Sequence, residues 1–371
     1  MIYLDYAASS VPFPQVIDRI SSVAGTYFGN PGALHCAGAA ARELLRESRK
    51  QIARRLGVRP EEVFFTSGGT ESNNWAVQSC QSFPGRNHIL CSAAEHSSVL
   101  AAVRRMEKKG YDVTYLNPDA SGRVLPEAVE AALRPNTGLL CVQAVNNETG
   151  VIQDVHALSQ IARRKRVRYF CDAVQSFGHA DLPLFQADLL SLSAHKLGGP
   201  RGIGCLVVRQ AHPIPAMILG GGQEFGLRSG TENLPAVAGF ALAAELSCQD
   251  LSQEQPRLAA LRQRLETQLR SLCPDLQVAG EEARRTGISC CRFPGISGEE
   301  MVLRLDRKGI CTSPGAACGA RSGGPSHVLL SMGYTPKEAA QFVRFSPGRD
   351  TTDTDIDRTV SAVADILSKR R

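Results

Sequence analysis

The sequence predicts an α/β protein with a mostly parallel sheet flanked by helices and a second, smaller α+β domain. Two observations carry this expectation. Between about Glu61 and Val208, short apolar runs alternate with amphipathic stretches of roughly 10–15 residues, the pattern of βαβ units. After about Asn233 a long helical region gives way to a fresh group of strand-like runs. A chain of 371 residues accommodates two such units. The boundary is placed so that 1–250 form the large domain and 251–371 the small one, with the N-terminal segment packing on the small domain.

Taken in order, EVFFT (62–66) reads as a strand and ESNNWAVQSC (71–80) as a helix. HILCS (88–92) with SVLAAVRRMEKKG (98–110), VTYL (113–116) with PEAVEAALR (126–134), and LLCVQAV (139–145) with DVHALSQIARR (154–164) repeat the alternation. YFCD (169–172), DLLSLS (188–193) and GIGCLVV (202–208) complete the sheet. The helical region comprises PAVAGFALAAELS (235–247) and RLAALRQRLETQLRSL (257–272). TGISCCRF (286–293), FVRFS (342–346) and a terminal helix from about Asp353 build the small domain.

The composition is that of an ordinary water-soluble protein, with 43% hydrophobic and 21% charged residues. A net charge of +6, scattered along the chain, is too weak to imply nucleic acid. The densest basic run, Arg163 to Arg168, closes an amphipathic stretch and reads as a solvated helix end, where cations are favoured. None of the 12 cysteines forms a CxxC pair, and Cys141, Cys171 and Cys205 sit in apolar runs where a reduced thiol behaves as a small hydrophobe. With no signal-like N-terminus and no long apolar run, a reducing cytoplasm and no membrane are expected, and no metal site is indicated.

Three features point to chemistry. FTSGGTESNN (65–74) runs from a strand through a Gly-Gly turn into a helix, aiming backbone N–H groups and the positive helix end at one spot. It lacks the long glycine-rich pattern of a nucleotide loop, so a single phosphate suits it better, and a plain turn remains the alternative. In SLSAHKLGGPRGIG (191–204), Lys196 follows a strand beside His195 and Ser193, a setting for a Schiff-base amine or for an exposed loop lysine. Asp172, ending YFCD, and His96, in AEHSS, also sit at strand ends. Phosphate anchor, aldehyde anchor and carboxylate partner together describe a pyridoxal phosphate site. Finally, SPGAACGARSGGPSH (313–327) sets Cys318 among glycines and alanines, where burial is not expected; the residues alone leave an exposed reactive thiol and an inert loop cysteine both open.

With YLDYAAS (3–9), FGNP (28–31), EHSSV (95–99), NNETG (146–150), DAVQ (172–175), RSGTEN (228–233), GAAC (315–318), PSHVLLSMG (325–333) and RFSPGRDTT (344–352), these segments resemble the cysteine desulfurases and selenocysteine lyases. These are class-V aminotransferase-like enzymes of pyridoxal phosphate fold type I, and the resemblance covers nearly the whole chain. It implies that Lys196 carries the cofactor and shuttles a proton, that His96 stacks on its ring, that Asp172 pairs with the ring nitrogen, and that Asn147 and Gln175 touch the ring oxygen. Gly69, Thr70, Ser193 and His195 would hold the phosphate, with Thr231 reaching in from the second subunit of a homodimer. Arg344, with Asn147, would bind the substrate carboxylate, and Cys318 would attack the substrate sulfur and carry it as a persulfide.

The expected activity is release of L-alanine from L-cysteine, with sulfur passed to an acceptor protein, either a scaffold for iron–sulfur cluster assembly or a thiolation enzyme. Selenocysteine lyase and an aminotransferase on the same fold are the alternatives. Pro325 lies seven positions beyond Cys318, which resembles the long-loop branch that donates sulfur directly to scaffolds. Three residues depart from the family pattern: Ala316 replaces a serine, Pro314 stiffens the start of the loop, and Gly198 stands where an aromatic often follows the His-Lys pair. Arg321 is the cation nearest to activate the thiol.

Overall fold

The computed structural model describes every residue except 210–212, 283, 285–286, 316–323 and 370–371. β1 (Ile2–Tyr3), α1 (Pro14–Thr26) and α2 (Cys36–Leu56) precede the alternating region. There follow β2 (Val63–Thr66), α3 (Gly69–Gln78), β3 (His88–Ser92), α4 (Ser97–Glu107), β4 (Asp112–Leu116), α5 (Pro126–Ala132), β5 (Thr137–Cys141), α6 (Val155–Lys165), β6 (Arg168–Asp172), β7 (Leu189–Ser193) and β8 (Gly204–Val208). The seven strands order as β2-β8-β7-β6-β5-β3-β4, parallel throughout except at β8, which runs antiparallel to both neighbours. This is the mostly parallel sheet that the alternation predicts.

Alternate residues of each strand enter separate cores. Phe65, Leu90, Leu140, Tyr169, Leu190 and Val207 face α1, α2, α6 and the first half of α7 (Leu234–Leu272). Phe64, Ile89, Leu139, Phe170, Leu189 and Leu206 face α3 and α4. A sheet covered on both faces needs continuous apolar strands, which is why these runs carry so little polar alternation.

α7 is one helix of 39 residues with Pro256 inside it, where the sequence suggested two stretches. Its first half packs in the large core; Leu258, Leu261, Leu265 and Leu269 pack in the second. That second core is built from β9 (Gln277–Val278), β10 (Ser289–Arg292), α8 (Gly298–Asp306), β11 (Ile310–Cys311), β13 (Phe342–Phe345) and α11 (Asp353–Ser368). β12 (Ser313–Pro314) pairs with β13, while α9 (His327–Ser331) and α10 (Pro336–Ala339) place Val328, Leu329 and Ala339 in a smaller cluster with Ala94, Cys290 and Phe342. β1 pairs with β11 in parallel, so Ile2 and Leu4 join the second core. We propose the domain division at 250/251, within α7.

The basic run at 163–168 divides. Arg163, Arg164 and Lys165 form the last turn of α6, as expected of a solvated end. Arg168 instead is buried in β6, donates to the carbonyls of Ser79 and Pro213, and lies 4.2 Å over the Phe83 ring. Its position in the first residue of a central strand explains the difference: the chain has already turned inward.

Candidate active site

β3, β5, β6 and β7 run parallel, and β2 and β7 both run antiparallel to β8, so the C-terminal ends of all five strands reach one edge of the sheet. Open α/β sheets bind ligands at that edge. A cavity of about 320 Å³ lies there. Gly69 and Thr70 follow β2, His96 follows β3, Asn147 follows β5, Asp172 ends β6, and Ser193, His195 and Lys196 close β7. Gln175 and Arg344 complete the wall. Thus ten of the residues expected from sequence surround one space, although they span more than 270 positions of chain.

Each side chain is held in place. Asp172 Oδ2 accepts from Asn73 Nδ2 at 2.8 Å and Oδ1 accepts from the Val174 N–H at 3.0 Å, fixing the carboxylate plane. Lys196 Nζ donates to the carbonyls of Ala7 and Ala8 at 2.7 and 2.8 Å. Gln175 Nε2 donates to the same Ala7 carbonyl. His96 caps α4: its Nδ1 accepts from the Ser98 N–H at 3.2 Å, and burial pushes its pKa down. Burial, with the charges of Lys196 and Arg201, likewise lowers His195 to about 4, so its ring is neutral near pH 7.

Arg344, in β13, is buried and donates to Asp5 Oδ1 and to the Asn147 carbonyl, both at 2.7 Å. Its Nε has no partner among the described residues. Two guanidinium edges therefore bind protein while further N–H groups remain for an acceptor.

The Gly-Gly turn of FTSGGTESNN leads into the N-terminal end of α3, which offers a candidate cradle for an anion. Gly68 has φ 150°, and a Cβ on Gly69 would stand 2.9 Å from Val174 Cγ2, so the bare backbone is what leaves room beside Ser193. The first N–H groups of a helix have no carbonyl one turn back and are open to an anion. The mouth of the cradle is lined by Ser67, Ser193, His195 and Arg201.

Thr231 is exposed and lines neither the cavity nor the cradle of its own chain. Cys318 lies outside the described residues, as do Ala316 and Arg321. Pro314 is paired into β12. Gly198 has φ 76° and its missing Cβ would meet the Phe13 ring at 2.7 Å, so both backbone and packing require glycine; it lines a separate small cavity with Phe13 and Leu197.

Sequence reasoning missed Asn73, Asp5 and Glu95. Asn73 and Asp5 each sat in a motif, but nothing in the string announces which distant carboxylate or guanidinium they touch. Glu95 is fully buried, accepts from the Gln143 N–H at 2.5 Å, and is held well above the usual carboxyl range by burial and by the charge of Asp172. It directly precedes His96 in the chain.

An amine, a strand-end carboxylate, an imidazole and an anion cradle around one cavity suit a ring that carries an aldehyde and a phosphate. Residues 2–359 match the aminotransferase class-V family. The chain is 35% identical over its full length to 95% of a Clostridium botulinum protein named cysteine desulfurase IscS. Among solved structures it superposes on a NifS-like protein with a TM-score of 0.93 and 32% identity, covering 99% of both chains. It also matches SspA in complex with cysteine, with a TM-score of 0.82 and 33% identity over 93% of this chain and 98% of that one.

Proposed function

The chain belongs to the aminotransferase class-V family, within its cysteine desulfurase group, and from that premise we propose that it converts L-cysteine to L-alanine and passes the sulfur to an acceptor protein. The observation that carries the reading is the convergence of Lys196, Asp172, His96 and Arg344 on one cavity. Enzymes of this family depend on pyridoxal 5'-phosphate, and the donor set fits it: Gly69, Thr70, Ser193 and His195 would hold the phosphate, Asp172 the ring nitrogen, His96 the ring face, and Asn147 and Gln175 the ring oxygen. When bound, that cofactor supplies an electron sink for negative charge at the substrate Cα.

The remaining work falls to the chain. Asp172, held by Asn73 and the Val174 N–H, would stabilise a positive charge on the ring nitrogen of the bound cofactor. Arg344 orients the substrate by its carboxylate, backed by Asp5. Lys196 Nζ takes the proton from the substrate Cα and returns one as alanine forms. The Cys318 thiolate attacks the substrate sulfur: a new S–S bond forms, the substrate C–S bond breaks, and its electron pair stays with the alanine carbon skeleton until protonated. Thr231 serves the site of a second copy, a role supported by its exposure and by the exposed apolar side chains Phe28, Leu34, Leu219 and Phe225.

Alanine release decides the matter. Wild-type protein loaded with cofactor should yield alanine from cysteine and a reductant-labile extra sulfur on the Cys318 peptide. Cys318→Ala should lose cysteine turnover. Undiminished alanine from that variant overturns the nucleophile; a wild type that ignores cysteine but consumes selenocysteine is a lyase, and one that yields a keto acid is an aminotransferase.

A further inference from the structure

The turn that opens α3 is gripped from outside the cavity by residues 224–228. β2 is the edge strand of the sheet. The Val63 carbonyl and Phe65 N–H, two residues apart on the same edge, therefore have no neighbouring strand to receive them. Two side chains take that place: Phe65 N–H donates to Glu224 Oε2 at 2.8 Å, and Arg49 Nη1 donates to the Val63 carbonyl. Arg49 and Glu224 are themselves a buried bidentate pair at 2.6 and 2.7 Å, with the guanidinium 4.8 Å over the Phe65 ring and 5.1 Å over that of Phe225. Glu224 and Phe225 hold left-handed backbone, φ 47° and 58°, which side chains resist and surrounding structure must enforce.

On the far flank, Arg228 Nε and Nη2 donate to Glu71 Oε1 and Oε2 at 2.9 and 3.2 Å. Glu71 Oε2 also accepts from the Ser67 N–H at 2.8 Å. The turn from Ser67 to Thr70 is thus bracketed by two ion pairs, both contributed by one segment. Glu71 poses a problem for any anion there, because its carboxylate lines the cradle mouth and would repel a phosphate. Arg228 lines neither the mouth nor the cavity, and it answers that problem from behind.

We propose that Arg228 is a positioning residue for phosphate binding: by pairing with Glu71 it cancels the one negative charge at the cradle mouth and fixes the turn, while the Arg49–Glu224 pair fixes the strand leading into it. The proposal rests on reading that turn as the phosphate site of the cofactor. It assigns Arg228 to its own chain's site, unlike Thr231 three residues later.

The test compares release of pyridoxal 5'-phosphate with release of pyridoxal, which lacks the phosphate, from full-length protein by absorbance after dilution. Wild type should hold the phosphorylated form much longer. Arg228→Met should shrink that preference by about tenfold, the scale of one charge-assisted contact, with pyridoxal release unchanged. Arg228→Lys should recover part of it. The double variant Arg228→Met with Glu71→Gln should also recover part, because the charge that Arg228 cancels is gone. If Arg228→Met keeps the wild-type preference, or releases both forms faster to the same degree, the positioning role is overturned while the phosphate reading stands. If wild type releases both forms alike, the turn is not the phosphate site and both ideas fall.

Discussion

Lys196 spends its charge on two backbone carbonyls from the start of the chain, Ala7 and Ala8, and no other lysine lines the cavity. Lys196→Ala should therefore abolish turnover and, in cofactor-soaked protein, the absorbance of a lysine-bound cofactor; recovery of normal turnover in that variant would refute the assignment. Glu148, next to Asn147, gives a pH prediction. Burial raises its pKa to about 7 against the pull of its bond from Ser326 and of the Arg344 charge. A carboxyl that holds its proton more tightly folded than unfolded contributes full stability below about pH 4.5, and that contribution is lost as pH rises through 7. Glu148→Gln removes the titration while keeping an acceptor for Ser326. Urea unfolding should find variant and wild type alike at pH 4, with the variant ahead at pH 8 by up to about 3 kcal/mol; equal curves at both values would mean the group titrates normally.

Among the elements, α7 is the one that joins the two cores, and it does so through Pro256. A proline inside a helix removes one N–H and crowds the preceding turn, at a cost of about 3 kcal/mol relative to alanine. Because Pro256 is exposed, Pro256→Ala should raise stability by roughly 1–3 kcal/mol in thermal unfolding. No gain would show that the helix carries Pro256 without net strain. The same element marks how far the sequence could be read. Strands such as HILCS and YFCD were legible because burial on both faces leaves unbroken apolar runs, and the site was legible because its residues sit in short motifs at strand ends. What escaped were pairings over distance. Two-residue β1 has no periodicity to detect, Arg168 looked like the tail of a helix, and the partners Asn73–Asp172, Asp5–Arg344 and Arg228–Glu71 are separated by 99, 339 and 157 positions.

For the whole molecule, among the described residues no helix is long and apolar enough to cross a membrane. The proposed homodimer with shared sites makes a quantitative prediction. Inactive Lys196→Ala subunits still carry Thr231, and Thr231→Ala subunits still carry Lys196. Unfolded together and refolded in equal amounts, the two should regain about a quarter of wild-type activity, since half the dimers are mixed and each has one complete site. Activity no greater than that of the separate variants would sink the shared site. The pairing of Ile2 with Ile310 has a different consequence, in time. On the ribosome the first strand emerges some 300 residues before its partner, a delay of roughly 15–60 s at ordinary synthesis rates. The large domain can finish folding in that interval, yet the Ala7 N–H, which donates to Ser346 Oγ, and the Asp5 carboxylate, which holds Arg344, lack these partners until the small domain arrives. Nascent chains released early would thus carry a formed sheet and an unfinished active site.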